Sequence, residues 1–216
     1  MASAKTMGAW AITGRVVLVA GLLAMLGLAR AEAQPAQIDH GATGTANHDY
    51  FTADQDPQTQ ILLQHVENFH LINSPHNPGG GGTLGNIRDG KYQWALEDLN
   101  YVLERFVNHP KALGLLSIVA RMTKNPTLPT TYYQRALGLY PQHALTHAQY
   151  GAYLVELGKT NEGIASLQRA IEITPQLTYA YTWLAKAYEK NGDQERMRWA
   201  QEQVRQLSTG GARNPG

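Results

Sequence analysis

The residues able to do chemistry in this chain are few, and most fall short of the patterns they resemble. Gly80, Gly82 and Gly85 spell G-x-G-x-x-G, the turn that cradles a dinucleotide pyrophosphate when it follows a β-strand. Here Asn73-Ser74-Pro75-His76-Asn77-Pro78 precedes it, which cannot be a strand. Gly85 with Gly90-Lys91 approaches a phosphate-binding loop, but Tyr92 follows and lacks the small hydroxyl that holds magnesium. His40, His48, His65, His70 and His76 crowd into 37 residues and could offer imidazole to zinc, copper or nickel. None stands four residues from another, so no two share one helix face. His143 and His147 do have that spacing, yet the second falls in a packing position of a 34-residue repeat. The chain has no Cys, which excludes disulfides, thiolate zinc sites, iron–sulfur clusters and lipoprotein attachment. With no HExxH and no GxSxG pattern either, no catalytic residue, metal ligand or cofactor is assigned.

Chemistry suited to binding is better represented. Tyr179, Trp183, Lys186 and Lys190 keep an i, i+4, i+7, i+11 progression, which places them on one stripe of one helix. Two aromatics beside two ammonium groups suit a partner segment with an apolar anchor and a nearby carboxylate. A net charge of +1, from 18 basic and 17 acidic residues, gives no field for nucleic acid.

Composition and period locate the elements that position this stripe. Lys5 and Arg15 flank a positive leader, Val16–Ala29 is an apolar run, and Ala31-Glu32-Ala33 offers small residues for cleavage. Residues 1–33 are therefore expected to be a cleaved secretory signal peptide, since the apolar run is short for a spanning helix; the competing reading is an uncleaved membrane anchor. Residues 34–56 show no apolar periodicity and are expected to be a disordered leader segment. Asp56-Pro57 is a helix start, and Ile61, Leu62, Val66 and Phe69 give a helical stripe over 57–71. The Pro- and Gly-rich stretch 73–86 is expected to be a mobile loop. Residues 57–89 are thus read as an N-terminal helix plus Gly-rich loop, and 209–216 as a flexible tail.

From Gly90 to Ser208 the pattern repeats. Pro141 and Pro175 are 34 residues apart and set units at 110–143, 144–177 and 178–211. Equivalent positions carry Leu113/His147/Tyr181, Leu116/Tyr150/Leu184, Ser117/Gly151/Ala185 and Ala120/Leu154/Tyr188. The second helices align Val102, Ala136, Ala170 and Val204. Small residues allow close helix approach, large ones fill the space between, and Pro ends the second helix. Pro129 fits a second helix that starts late, after Asn125-Pro126. This pattern resembles the tetratricopeptide repeat (TPR) family, most clearly from Thr146 through Gly151 to Pro175.

The resemblance implies an all-α fold: a right-handed superhelical array of antiparallel helix pairs, an α-solenoid of about three full units plus a divergent first unit. The first helix of that first unit falls on the glycine run, so helix 57–71 is expected to fill its place, with the loop as an insertion; the alternative is that 57–71 is a separate flanking helix. The family's groove positions map onto Lys111, Leu115, Ile118 and Arg121 in one unit and onto the Tyr179–Lys190 stripe in another. The order of Lys, Asn and Arg that clamps a C-terminal carboxylate in one subtype of the family is missing. The resemblance thus implies a non-enzymatic, exported, most simply periplasmic scaffold or adaptor for a peptide or protein partner in envelope or secretion-complex assembly. It would have no membrane span after cleavage, and self-association through the C-terminal helix is left open. The alternative reading is a periplasmic metal- or small-ligand-handling protein using the His-bearing N-terminal region.

Overall fold

The structure is a computed structural model that describes residues 47–210. The expected signal peptide, residues 34–46 of the leader and residues 211–216 of the tail lie outside the described residues. Within them the secondary structure is helical, apart from one parallel bridge between His48 and Phe106. The helices are α1 (Pro57–Val66), α2 (Gly82–Arg88), α3 (Tyr92–Arg105), α4 (Pro110–Met122), α5 (Leu128–Leu139), α6 (Ala144–Glu156), α7 (Thr160–Ile173), α8 (Thr178–Lys190) and α9 (Gln194–Gly210). A 3-10 helix, Tyr50–Gln55, precedes α1, and a π-helical stretch, Glu67–Ile72, continues it.

One turn geometry recurs at 34-residue intervals and defines the units. Gly90, Lys124, Gly158 and Gly192 each come after the capping residue of a helix and hold a positive φ. After each, the next amide reaches five residues back: Lys91 to Asn86, Asn125 to Ala120, Lys159 to Leu154 and Asp193 to Tyr188, at 2.8–3.0 Å. This is the Schellman closure of a helix C-terminus, which satisfies otherwise orphaned carbonyls and sends the chain back along itself. The pairs are therefore α2/α3, α4/α5, α6/α7 and α8/α9.

Packing matches the sequence columns. Leu113, Leu116, Ala120, Leu184, Val102, Ala136 and Ala170 are fully buried, and Leu154 and Tyr188 nearly so. Pro129 sits in the first turn of α5, as its late start requires. Leu99, Tyr133 and Leu167 are buried, whereas Gln201, their equivalent on α9, is exposed.

Three expectations for the N-terminal part are corrected. The stretch 73–86 is not a mobile loop: it contains most of α2, and Ser74, Thr83 and Asn86 are fully buried. Its glycines serve close approach, because a Cβ on Gly82 would stand 2.2 Å from the Leu71 carbonyl oxygen, and one on Gly85 only 1.8 Å from that of Gly80. The first-helix place of the first unit is accordingly held by α2 itself, in frame, and not by helix 57–71. Residues 47–56 are also ordered. Asn47 and His48 donate to the carbonyls of Glu104 and Arg105 at 2.8 and 2.6 Å, and Asp49 caps the 3-10 helix. These are polar contacts to the array, which apolar periodicity could not register. In α1 the Asp56 cap and Pro57 stand as expected, but of the stripe Val66 is buried while Ile61 and Phe69 are exposed. The wider π turn rotates the chain after Val66, so Leu71 points inward in place of Phe69 and Glu67 and His70 come to face the array.

Candidate functional site

The first helices α4, α6 and α8 lie side by side and form a groove of about 430 Å³. Six of the eight residues singled out in the sequence line it: Lys111, Leu115, Ile118 and Arg121 from α4, and Tyr179 and Trp183 from α8. The two stripes, from different units of the sequence, thus form one surface. Each side chain reaches it for a helical reason. Leu115 and Ile118 stand one turn apart on α4, and Tyr179 and Trp183 one turn apart on α8, with ring centres 6.5 Å apart. Leu115 is 8% exposed and Tyr179 40%, so the groove has an apolar floor and an accessible aromatic rim.

Cross-links between successive first helices fix the width of the groove. Gln149 of α6 donates its side-chain amide to the Pro110 carbonyl at 3.0 Å, tying α6 to the start of α4. Arg121 of α4 pairs with Glu156 of α6 near the other end. Lys190 of α8 donates to the Val155 carbonyl at 2.7 Å. Two residues of the sequence-derived set, Arg121 and Lys190, are therefore already engaged within the array. Lys190 caps the carbonyl end of α6 instead of extending the stripe into the groove.

Lys186 is arranged differently. Its ammonium stands 4.2 Å from the centre of the Trp183 ring, a cation–π contact that steadies the indole and leaves a positive charge beside it. Among the described residues neither Lys186 nor Lys111 forms an ion pair; Lys111 lines the groove on α4, whereas Lys186 lies outside its lining, over the Trp183 ring. Burial raises the Tyr179 hydroxyl above the ordinary phenol range, the Trp183 hydrogen bond opposing it. Tyr133 is raised further, again by burial, and its hydroxyl lies 3.2 Å from that of Ser117. Both phenols stay neutral at physiological pH.

Tyr133, Tyr153 and Ser117 also line the groove, and the sequence set omitted them. Tyr133 lies on a second helix, α5, whose period marks it as core; only its length brings its ring between α4 and α6. Met122 is 56% exposed and lies away from the groove.

The other candidate chemistries disperse. Gly90 makes the unit's own interhelical turn, and Gly82 and Gly85 are packed against backbone. His65 lies against Phe69, while His70 and His76 both face the Asp98 carboxylate, at 3.0 and 3.9 Å, and His76 lies 3.4 Å from Glu97. His147 faces the Pro141 carbonyl at 3.0 Å, and burial lowers its proton affinity. Among the described residues, no group of three or more His, Cys, Asp or Glu is arranged to hold a metal ion. None of the described helices is long and apolar enough to cross a membrane.

Residues 151–192 match the family model described as TPR repeat. The TPR repeat-containing protein MJ1428 of Methanocaldococcus jannaschii is 26% identical over 136 residues, 62% of this chain, and the chain spans only 24% of that protein's length. The crystal structure of MamA is 19% identical and superposes with a TM-score of 0.50, covering 61% of this chain and 77% of that one. That of YrrB, a TPR protein with an unusual peptide-binding site, is 18% identical with a TM-score of 0.46 over 59% of this chain and 66% of its own. The likeness to MamA is one of fold: the helix pairs are a TPR-type α-solenoid.

Proposed function

We propose that this TPR-type array is a non-enzymatic scaffold that holds a segment of a protein partner in the groove between α4, α6 and α8. The observation that carries the reading is the meeting of Lys111, Leu115, Ile118, Tyr179 and Trp183 on one open surface. An apolar floor with Lys111 on the α4 wall and Lys186 beside Trp183 at the other edge favours a segment with an aromatic or branched aliphatic anchor and an acidic residue beside it. Aromatic residues of this kind dominate binding energies when they become fully desolvated in a complex. The leader at residues 1–33 supports export, and the finer proposal is an adaptor in envelope or secretion-complex assembly, acting in the periplasm.

The test uses a fluorescein-labelled peptide that alternates acidic and aromatic residues, and a counterpart with lysines in place of the acids. Binding is read by anisotropy on the wild type and on Trp183→Ala and Lys186→Glu, each first shown to melt as the wild type does. The expected result is preference for the acidic peptide, with losses above about 1 kcal/mol for each variant. Equal binding of both peptides, unaffected by either substitution, would overturn the assignment.

A further inference from the structure

His109 is the capping residue of α4 and is only 1% exposed. Its Nδ1 accepts the Ala112 amide N–H at 3.3 Å, while its Nε2 lies 3.1 Å from Oε1 of Glu67. A backbone amide can only donate, so Nδ1 must present a lone pair. An ionised carboxylate can only accept, so Nε2 must carry the proton. The two contacts together select one state of the ring, neutral with its proton on Nε2.

The surroundings keep the proton on Nε2 in place. From the 3-10 helix, the Tyr50 ring lies 4.5 Å from the imidazole, centre to centre. From the π-helical stretch, the Glu67 carboxyl is held below the ordinary glutamate range, first by the bond from His109, with burial opposing and then the attraction of a charged His109 and of Lys111 of α4 assisting. The adjacent Asn108 amide is occupied on both sides, donating to Asp49 at 2.7 Å and accepting from the Tyr50 amide at 2.8 Å. A second proton on His109 has one place to go, Nδ1, where the cap now sits. It would also bring a positive charge to the positive end of the α4 dipole.

We propose that His109 is a proton-operated latch on the first wall of the groove: its second proton releases the α4 cap while Glu67 keeps hold of the ring through Nε2. The turn so released contains Pro110 and Lys111, both groove-lining, and the Pro110 carbonyl is the one that receives Gln149 from α6. Acid therefore loosens the groove where its first wall begins. The consequence for binding rests on the groove's proposed role, but the latch itself does not. His143 provides the contrast. It holds the same position one unit later and faces Asp49 at 2.8 Å, but α6 has no side-chain cap, so a proton there only strengthens the pair.

The experiment tracks the full chain by NMR from pH 7.5 downward. Imidazole nitrogen shifts report the tautomer and charge of His109, and amide exchange of Ala112, corrected for its intrinsic rate, reports the cap. The expected ring at pH 7.5 is neutral with its proton on Nε2, and once it becomes charged Ala112 loses about fivefold in protection, the worth of one cap. His109→Asn, whose amide oxygen caps at any pH, should show no such loss. Glu67→Gln, a second and milder variant, keeps an acceptor for Nε2 but removes the anion, and should move the loss to lower pH. A ring protonated on Nδ1 at pH 7.5, one that stays neutral until the array unfolds, or unchanged Ala112 protection after it becomes charged would each overturn the latch. Neither readout involves a groove ligand, so failure of the peptide assay leaves the latch standing.

Discussion

Gly151 and Gly163 face each other across the α6/α7 pair, each with the other's backbone where its own Cβ would be. A Cβ on Gly151 would stand 2.8 Å from the Gly163 carbonyl oxygen, and a Cβ on Gly163 would stand 2.7 Å from that of Gly151. The two helices thus touch backbone to backbone, and α6 can present Gln149, Ala152 and Glu156 to the groove without a spacer behind them.

Gly163→Ala tests that contact against helix propensity. Alanine favours an isolated helix by about 1 kcal/mol over glycine. Overpacking against an immovable carbonyl costs about 1–3 kcal/mol, and Val155 crowds the same spot at 2.6 Å. Net destabilisation is expected, read as a lower urea midpoint with unchanged slope; a more stable variant would show that the helices can part at little cost.

The glycine run makes the next case. Gly82 combines a φ of +66° with a carbonyl 2.2 Å from any added Cβ, so Gly82→Ala should cost more than the roughly 1 kcal/mol of left-handed strain alone. Replacing residues 79–85 by a Gly-Ser linker should lower the melting temperature by several degrees, since α2 is lost. An unchanged melting curve for the linker variant would return this stretch to the status of a loop.

Lys124 is the one non-glycine among the four interhelical turns, with φ +55°. Lys124→Gly relieves left-handed strain of about 1–2 kcal/mol and adds about 0.5–1 kcal/mol of backbone entropy cost. A gain of up to about 1 kcal/mol is expected by chemical denaturation. A loss of stability would mean that the lysine side chain contributes a contact exceeding the strain.

Glu67 sets an acid limit on stability. Its folded carboxyl is held below the ordinary glutamate range by the His109 hydrogen bond, so its contribution is fully present above the unfolded carboxylate value and fades as pH falls through the folded one. Between about pH 5 and 3 the wild type should lose urea resistance more steeply than Glu67→Gln, which has no proton to take up there. Parallel acid limbs in the two proteins would remove Glu67 from this role.

The units are legible in the residue order alone. The 34-residue columns, the late α5 start at Pro129 and the buried faces of α4 to α9 all rest on local periodicity, which survives without knowledge of what packs on what. Leu115, Ile118, Tyr179 and Trp183 are legible as groove positions for the same reason. That they form a single groove, that Tyr133 reaches it from behind, and that Lys190 is taken by Val155 emerges from the folded array. Each of those depends on contacts between units, where side-chain length and direction matter more than period. The N-terminal part shows the difference most sharply. Glycine at 79–82 and 85 is read locally as freedom, but beside the carbonyls of Leu71 and Gly80 it is the residue that fits. The segment 47–56 has no apolar periodicity, and it is ordered by hydrogen bonds to Glu104, Arg105, Asn108 and His143 together with buried Ala53 and the ring contacts of Tyr50 and Phe51, all of which exist only once the array has formed.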